Sequence, residues 1–215
     1  MIVTKIERQK RNSRRVNLFL DGEFAFGIHD EVLLRSGIRK GDHLTEEALE
    51  LLRVSEELSL AKGRALKLLA SRLRTEAELR SDLLEQEFHP AAVERVILHL
   101  REVRLVDDVR FTHAFVHDAR LRRALGRILL TRELRRRGVP QPIIEEALSA
   151  STRPEEERAV ALKSASKFLG RFRSSRKRIP PERQRTRTTQ FLARRGFDWE
   201  TIAGVIQELF PPETG

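Results

Sequence analysis

The stretch Leu134–Leu148, with the sequence LRRRGVPQPIIEEAL, indicates the fold of this 215-residue chain more clearly than any other segment. A leucine is followed by charged residues, by a glycine at which a helix can end, and by apolar pairs at helical spacing. The stretch Leu192–Ile206, LARRGFDWETIAGVI, aligns with it without a gap, and Leu83–Ile97, LLEQEFHPAAVERVI, aligns more loosely. The copies begin 51 and 58 residues apart, close to the spacing typical of tandem repeats. Three related helical units are therefore predicted.

One more helix is predicted ahead of each copy. Apolar residues recur at three- and four-residue intervals over Leu60–Ala70, Phe111–Ala119 and Ala161–Leu169, which is the spacing of one helix face. Each repeat is therefore predicted to consist of three helices.

Helix-capping signals support these boundaries. Thr75 precedes Glu78 by three residues, as in a capping box, where the hydroxyl and the carboxylate each satisfy an exposed amide. Asp107 and Asp108 are predicted to form an N-cap pair for the helix that follows them. Another helix is predicted to begin at Pro154, because proline suits the first helical position and three glutamates follow it at the positive end of the helix dipole.

The amino-terminal region does not follow the repeat. Apolar residues alternate with polar ones on both sides of Asp21-Gly22, a pattern that predicts a β-hairpin. Ile2–Ile6 is a candidate third strand, Glu31–Ser36 is predicted to form a short helix, and Thr45 is predicted to cap the next helix.

The predicted fold is mainly α, an elongated tandem array of three three-helix repeats with a small N-terminal β-hairpin element. The hairpin element with its short helix is assigned to residues 1–44, and the first repeat with a lead-in helix to residues 45–107. The second repeat is assigned to residues 108–152, and the third, with a basic insertion and a short tail, to residues 153–215.

Composition limits the compartment and the chemistry. The chain has no cysteine, so neither a disulfide framework nor a thiolate metal site is available. No apolar segment reaches the roughly 20 residues that cross a bilayer, and the start has no signal-peptide core. A soluble cytoplasmic protein without membrane contact is predicted.

Charge is the main functional signal in the composition. The chain carries 42 Lys+Arg against 32 Asp+Glu, and such an excess predicts a polyanionic partner, nucleic acid before membrane. The stretch Glu46–Glu57 is acidic, whereas Arg120–Arg137 and Arg171–Arg187 are strongly basic, so the carboxy-terminal two thirds are expected to face the anion. The candidate binding residues are Arg120, Arg123, Arg127, Arg132, Arg135, Arg136, Arg137, Arg171, Arg173, Arg176, Lys177, Arg178, Arg185, Arg187, Arg194 and Arg195.

The alternative for these arginines is a solvated helix face, because arginine is a good helix former. If Arg135–Arg137 bind DNA rather than stabilise the fold, their replacement by alanine should leave stability almost unchanged. Most phenylalanines coincide with the apolar repeat and are assigned to the core. Phe172 lies among arginines outside that phase and is the one aromatic residue that merits a test for DNA contact.

Catalysis and metal binding find little support. His113 and His117 are one helical turn apart beside Asp118, but the zinc-protease pattern needs a glutamate after the first histidine, and Ala114 stands there. A polar outer stripe is the better interpretation. Because there is also no glycine-rich phosphate loop and no serine nucleophile elbow, the chain is predicted to be no enzyme and to have no cofactor and no metal.

Together these motifs resemble the RecX family of recombinase regulators, over about residues 58–209. The residues that carry the resemblance are Arg72-Leu73-Arg74-Thr75 with Glu78-Leu79, Asp107-Asp108 with Phe111 and Phe115-Val116, Arg120, Gly126, Leu130, Glu133-Leu134 and Gly138-Val139, and Leu192 with Arg195-Gly196-Phe197. Two positions depart from the family pattern, since Thr112 replaces a small alanine and Thr75 replaces the commoner serine.

The resemblance implies a modulator, usually an inhibitor, of the RecA recombinase, acting in DNA repair, homologous recombination and the SOS response. A monomer is predicted because an open-ended array of repeats has no need of a twofold partner. Members of the family lie in the groove of the RecA filament on single-stranded DNA, with double-stranded DNA as a second candidate ligand. There they hinder strand exchange, ATP hydrolysis and filament growth.

A sequence-specific helix-turn-helix protein is the alternative function. The bends at Gly138 and Gly196 resemble the turn of that motif, but the helices after them carry Glu145, Glu146 and Glu200. Carboxylates repel phosphate, and a recognition helix needs donors aimed at base edges.

Overall fold

A computed structural model of the protein describes residues 1–151, 153–173 and 179–211. The strands are β1 (Val3–Gln9), β2 (Asn12–Leu20) and β3 (Glu23–His29), and the first helices are α1 (Asp30–Ser36), α2 (Glu46–Ser71), α3 (Glu76–Leu84) and α4 (Pro90–Glu102). They are followed by α5 (Asp108–Asp118), a π-helical turn (Ala119–Arg123), α6 (Arg127–Arg136), α7 (Gln141–Ser151), α8 (Pro154–Arg173), α9 (Pro181–Arg194) and α10 (Trp199–Leu209). The fold is mainly helical, with a small amino-terminal sheet, as predicted.

The chain forms two compact units. Unit 1 comprises Met1–Leu73 and Leu79–Val106, and unit 2 comprises Arg74–Glu78 and the described residues from Asp107 onward. Unit 1 therefore contains the sheet and most of the first repeat, and unit 2 contains the second and third repeats.

The sheet of unit 1 is antiparallel in the order β1-β2-β3, which confirms both the hairpin and the third strand. At the predicted hairpin turn, Asp21 and Gly22 both have positive φ angles, 50° and 92°, as a type I′ turn requires. Val3, Leu18 and Ile28 are fully buried in this part of the protein, where the sheet shares its core with α1 and the start of α2.

The lead-in helix and the first repeat helix are one continuous helix, although their residues suggest two. Helix α2 spans 26 residues, and the Thr45 hydroxyl caps it by accepting a hydrogen bond from Ala48 N at 3.2 Å. Gly63 is the only residue between Thr45 and Ser71 that disfavours a helix strongly, and one glycine reduces helix stability by only about 1 kcal/mol relative to alanine. The helix therefore continues through it.

The repeat is visible in the packing. The aligned leucines Leu83, Leu134 and Leu192 are all fully buried, each in the core of its own repeat. The bends four residues after them have left-handed backbone at Gly138 and Gly196, as predicted, with φ angles of 75° and 82°. Glu87 occupies the same position in the first repeat and adopts the same conformation, with φ of 63°, so the looser copy keeps the bend without a glycine.

Carboxylates from one repeat cap helices of the preceding repeat within unit 2. Asp108 Oδ1 accepts from the amide of Glu76 at 2.9 Å, and Glu157 Oε1 accepts from the amide of Arg127 at 2.8 Å. Glu76 and Arg127 both lie seven residues before the aligned leucine of their repeat. Equivalent helix starts are therefore capped in the same way.

The hydrogen bonds of Asp108 show that one predicted cap was wrong, and those of Thr75 show that another predicted cap makes an additional contact. Asp107 alone caps α5, by accepting from Arg110 N at 2.9 Å, whereas Asp108 caps α3. The Thr75 hydroxyl accepts from Glu78 N at 3.0 Å, as expected of a capping box, and also donates to the Arg137 carbonyl at 2.6 Å.

Candidate nucleic-acid interface

Unit 2 contains a cleft of about 680 Å³ between the π-helical turn, α8 and the end of α9. We call it the basic cleft because seven lysines and arginines and a single carboxylate, that of Glu156, line it. The cationic residues are Arg120, Arg122, Arg123, Lys163, Lys167, Arg171 and Arg195. His117, Leu121, Phe168 and Phe191 are among the other lining residues.

The π-helical turn determines which side chains of its segment reach the cleft. Helix α5 continues into five residues of π-helix, Ala119–Arg123, and ends at Ala124 in left-handed backbone with φ of 48°. A π turn is wider than an α turn, so the side chains after it are rotated from the positions that a regular helix would give them. Such turns are common at functional sites, and this one carries three of the seven cations.

Three arginines from different elements influence one another in the cleft. The pKa of Arg195 is lowered, first by burial and then by the positive charges of Arg171 and Arg123. A guanidinium stays protonated in proteins, so an anion that enters the cleft reduces this repulsion. The cleft therefore favours a negatively charged ligand.

Aromatic rings hold Arg195 in place. Its guanidinium lies 4.7 Å from the ring centroid of Phe191, and Phe191 stacks on Phe168 with centroids 4.2 Å apart and planes 6° apart. A cation over an aromatic face is attracted to it. Arg195 is thus oriented before any ligand binds.

Lys163 and Lys167 are binding candidates that sequence reasoning missed. Both are exposed on α8, one turn apart, and Arg171 follows one turn later. They lie outside the dense runs of arginine from which the binding residues were predicted. However, cations at i, i+4 and i+8 share one helix face, and this spacing is present in the sequence.

Four of the predicted binding residues lie in the cleft, namely Arg120, Arg123, Arg171 and Arg195. Arg120 has an internal role as well, because its side chain is only 11% exposed and pairs with Glu157 at 2.9 Å. We therefore assign Arg120 mainly to the junction between the second and third repeats.

Arg137 is partly buried and contacts side chains of other elements. It pairs with Glu78 and lies over the rings of Phe111 and Phe115, with 27% of its side chain exposed. These contacts contradict the premise that Arg137 has no structural role, so we now expect its replacement to reduce stability. Arg135 and Arg136 are exposed.

The remaining predicted residues lie outside the cleft or outside the described residues. Arg127 and Arg132 belong to α6, and Arg185, Arg187 and Arg194 are exposed on α9. Arg176, Lys177 and Arg178 are outside the described ranges, as is the side chain of Arg173.

Phe172 belongs to an aromatic cluster and also lies near an arginine. Its ring packs edge-on against Phe168 at 4.9 Å, and Arg187 lies 5.9 Å from its centroid. Phe168 and Phe172 are one helical turn apart, so they share a face of α8.

The histidines considered for metal binding, His113 and His117, are both exposed on α5. Across the described ranges, no group of three or more histidine, aspartate or glutamate side chains is placed to hold a metal ion. Within those same ranges, no helix combines the length and the apolar character needed to cross a bilayer.

The fold defines a tandem three-helix-repeat protein, and unit 2 of this protein has a cleft lined mainly by cationic side chains. Four family models match successive parts of the chain. These are the regulatory protein RecX N-terminal domain over residues 1–45 and the first, second and third three-helix domains of RecX over residues 61–100, 107–148 and 155–206.

Relatives and solved structures agree with these matches. The chain is 30% identical to the regulatory protein RecX of Bacillus velezensis over 96% of its own length and 76% of that protein, and 30% identical to that of Clostridium acetobutylicum over 97% and 96%. A crystal structure of regulatory protein RecX superposes with a TM-score of 0.74 at 27% identity, covering 95% of this chain and 98% of that one. The RecX structure from Lactobacillus salivarius, at 22% identity, shares the fold with a TM-score of 0.64 over 72% of this chain and 97% of the other. The chain belongs to the RecX family of regulatory proteins.

Proposed function

We propose that this chain regulates a RecA recombinase, as an inhibitor, by binding the recombinase filament on single-stranded DNA. The basic cleft of unit 2 contacts the DNA backbone. Bound in the filament groove as a monomer, the chain occupies space that strand exchange, ATP hydrolysis and filament growth require. Membership of the RecX family supports the regulatory role.

The proposed DNA contact is supported mainly by the convergence of Arg123, Arg171 and Arg195 in the basic cleft. Phosphate groups that enter the cleft offset their mutual repulsion, and each contact with a single strand also releases condensed counterions. Lys163 and Lys167 extend the same positive surface along α8. Backbone contacts of this kind carry no sequence preference, which suits a protein that follows a filament over any DNA.

Inhibition in this proposal is steric. A bound protein that fills the groove hinders a second DNA strand without forming or breaking a covalent bond. No catalytic group is therefore required of the chain.

For the helix-turn-helix alternative, α7 is a poor recognition helix. Arg135 Nε donates to Gln141 Oε1 at 2.8 Å, and Gln141 Nε2 donates in turn to Glu145. The donors at the start of α7 thus bond to neighbouring side chains, and a carboxylate stands beside them.

ATP turnover by purified recombinase on single-stranded DNA tests the proposal. Stoichiometric addition of the chain should lower turnover, and the Lys163→Glu/Lys167→Glu variant should be much less effective. The control is Arg64→Glu/Lys67→Glu, which makes the same charge change on exposed positions of α2. If the wild-type chain has no effect, or if both variants inhibit equally well, the proposal or its assignment to the cleft is wrong. Preferential binding to one duplex sequence would favour the helix-turn-helix function.

A further inference from the structure

Unit 1 has a second concave surface that the proposed function does not use. A groove of about 960 Å³ follows α2, with α1 on one side. Leu51, Leu58 and Leu66 of α2 line it together with Ile38 and Leu44, and Leu51 is 69% exposed. Clustered, exposed leucines are uncommon on a surface that faces only water, and they mark interaction sites. We call this surface the α2 groove.

The floor of the α2 groove is shaped to receive a helix. Ser55, Ser59 and Gly63 line it at intervals of four residues, so small side chains form one row along α2. A row of small residues between larger ones is a channel into which the ridge of another helix packs. A side chain added at Gly63 would meet no atom within 4 Å, so this space is open.

The length of the groove matches a short helix. Leu51 and Leu66 are 15 residues apart, which is about 22 Å along a helix axis. A docked helix of about four turns would extend from Leu51 to Leu66, the two exposed leucines of the groove.

The rim of the groove selects for negative charge. Arg14, Lys62 and Arg95 line it, and none of them forms an ion pair with a carboxylate in the part of the chain that the structure describes. Glu31 is the only acidic lining residue, and it pairs with Arg35 on the same helix. An acidic partner is therefore favoured over a basic one.

The residues that line the floor of the α2 groove favour a protein partner over a nucleic acid. No phenylalanine, tyrosine or tryptophan lines the groove, and the imidazole of His29 is its one aromatic ring, so it offers bases little surface for stacking. Leucine side chains gain free energy by burying apolar area, which an amphipathic helix provides and a phosphodiester backbone does not.

We propose that the α2 groove docks an amphipathic helix of a protein partner. The apolar face of that helix lies over Ser55, Ser59 and Gly63 between the leucines. Acidic residues on its flank face Arg14, Lys62 and Arg95. This is helix-in-groove recognition, with specificity from the charged rim.

The test uses a designed peptide and the full chain. The probe is a fluorescein-labelled helical peptide of about 16 residues, with leucines on one face and glutamates on both flanks. Its binding is followed by fluorescence anisotropy. Saturable binding is expected, and the same peptide with lysines in place of glutamates should bind at least about tenfold more weakly, a difference of about 1.4 kcal/mol.

Substitutions in the groove test whether the peptide binds there. Leu51→Gln/Gly63→Gln should weaken binding at least about tenfold, whereas Gly63→Ala should change it less than about twofold because the channel stays open. Both positions are exposed on α2, so an unchanged or raised urea midpoint verifies the fold. The proposal is overturned if the acidic peptide does not bind, if the lysine peptide binds equally well, or if the glutamine variant binds like the wild type. Displacement of the peptide by single-stranded DNA would assign the groove to nucleic acid instead.

Discussion

Arg137 joins the first turn of α3 to the second repeat within unit 2. Its guanidinium pairs with Glu78, which is 17% exposed at the side chain, and lies 5.2 Å from the ring centroid of Phe115. Neighbouring Arg136 forms only a surface pair with Glu133 and is 73% exposed at the side chain. Two adjacent arginines thus have different physical roles.

Arg137→Ala should therefore reduce the free energy of unfolding by about 2 kcal/mol, because it leaves the Glu78 carboxylate without this partner and removes a cation–π contact. Arg136→Ala should change it by less than about 0.5 kcal/mol. Urea unfolding of both variants measures the difference. Equal effects would show that the internal ion pair contributes nothing.

Gly196 is restricted by its backbone and by a close neighbour. Its φ angle is 82°, and an added Cβ would collide with the backbone of Leu129 at the start of α6. The Gly196 carbonyl also accepts from Ile128 N at 3.0 Å, so the bend cannot move away without losing that bond.

Gly196→Ala should consequently lower the unfolding free energy by at least about 2 kcal/mol, through left-handed strain and steric overlap. Gly63→Ala, in the interior of α2, should instead raise it by up to about 1 kcal/mol. Thermal or urea unfolding compares the two, and a stable Gly196→Ala protein would contradict the close packing of this bend against α6.

At the scale of elements, Glu157 connects α8 to the start of α6. It accepts from the Arg127 amide and from Arg120 Nη1, and its side chain is 5% exposed. Removing it leaves a buried guanidinium and a helix-terminal amide without that acceptor. Glu155, two residues earlier, is exposed.

Glu157→Ala should reduce stability by about 3 kcal/mol, whereas Glu155→Ala should remove at most about 0.5 kcal/mol of helix-dipole stabilisation. Guanidinium unfolding followed by circular dichroism provides both values. A small effect at Glu157 would mean that water replaces the carboxylate and that the cap does not stabilise the junction.

A pH-dependent contact joins α3 and α4 in unit 1. The hydrogen bond from Arg80 lowers the pKa of Glu94 from its ordinary value of 4.5, burial opposes this, and the charge of Arg80 lowers the pKa further. A lowered folded-state pKa adds stability above the ordinary value, and this stability is lost as pH falls through the folded-state pKa.

Glu94→Gln should thus destabilise the protein by less than about 1 kcal/mol at neutral pH, since the pair is largely exposed. The difference from wild type should shrink below pH 4.5. Urea midpoints from pH 7 to pH 3 measure it, and in an Arg80→Met background this part of the pH dependence should disappear. A constant difference across that range would exclude the ion pair as its cause.

At the scale of the whole molecule, the repeat was predictable because the buried positions of each unit require apolar residues at the same spacing. Leu83, Leu134 and Leu192 align in the sequence and are all fully buried, and apolar spacing reports which side chains face a core. The hairpin was predictable for a similar local reason, because Asp21-Gly22 suits a type I′ turn.

The composition of the site was less predictable, because it depends on contacts distant in sequence. Asp108 was assigned to its own helix but caps α3, and Arg137 was assigned to the surface but pairs with Glu78, 59 residues away. The π-helical turn has no local sequence signal of its own, yet it brings Arg123 toward Arg195. Charge density located the region of the cleft, but not the individual side chains that line it.

The salt dependence of single-stranded DNA binding tests the central claim, that the basic cleft neutralises phosphate groups. If about six phosphates are contacted, log K against log salt should have a slope near −4. For Lys163→Ala/Lys167→Ala the slope should be shallower by about 1.4, since each lost contact removes about 0.7. Arg64→Ala/Lys67→Ala should keep the wild-type slope. A flat response in the wild type, or an unchanged slope in the cleft variant, would contradict the account.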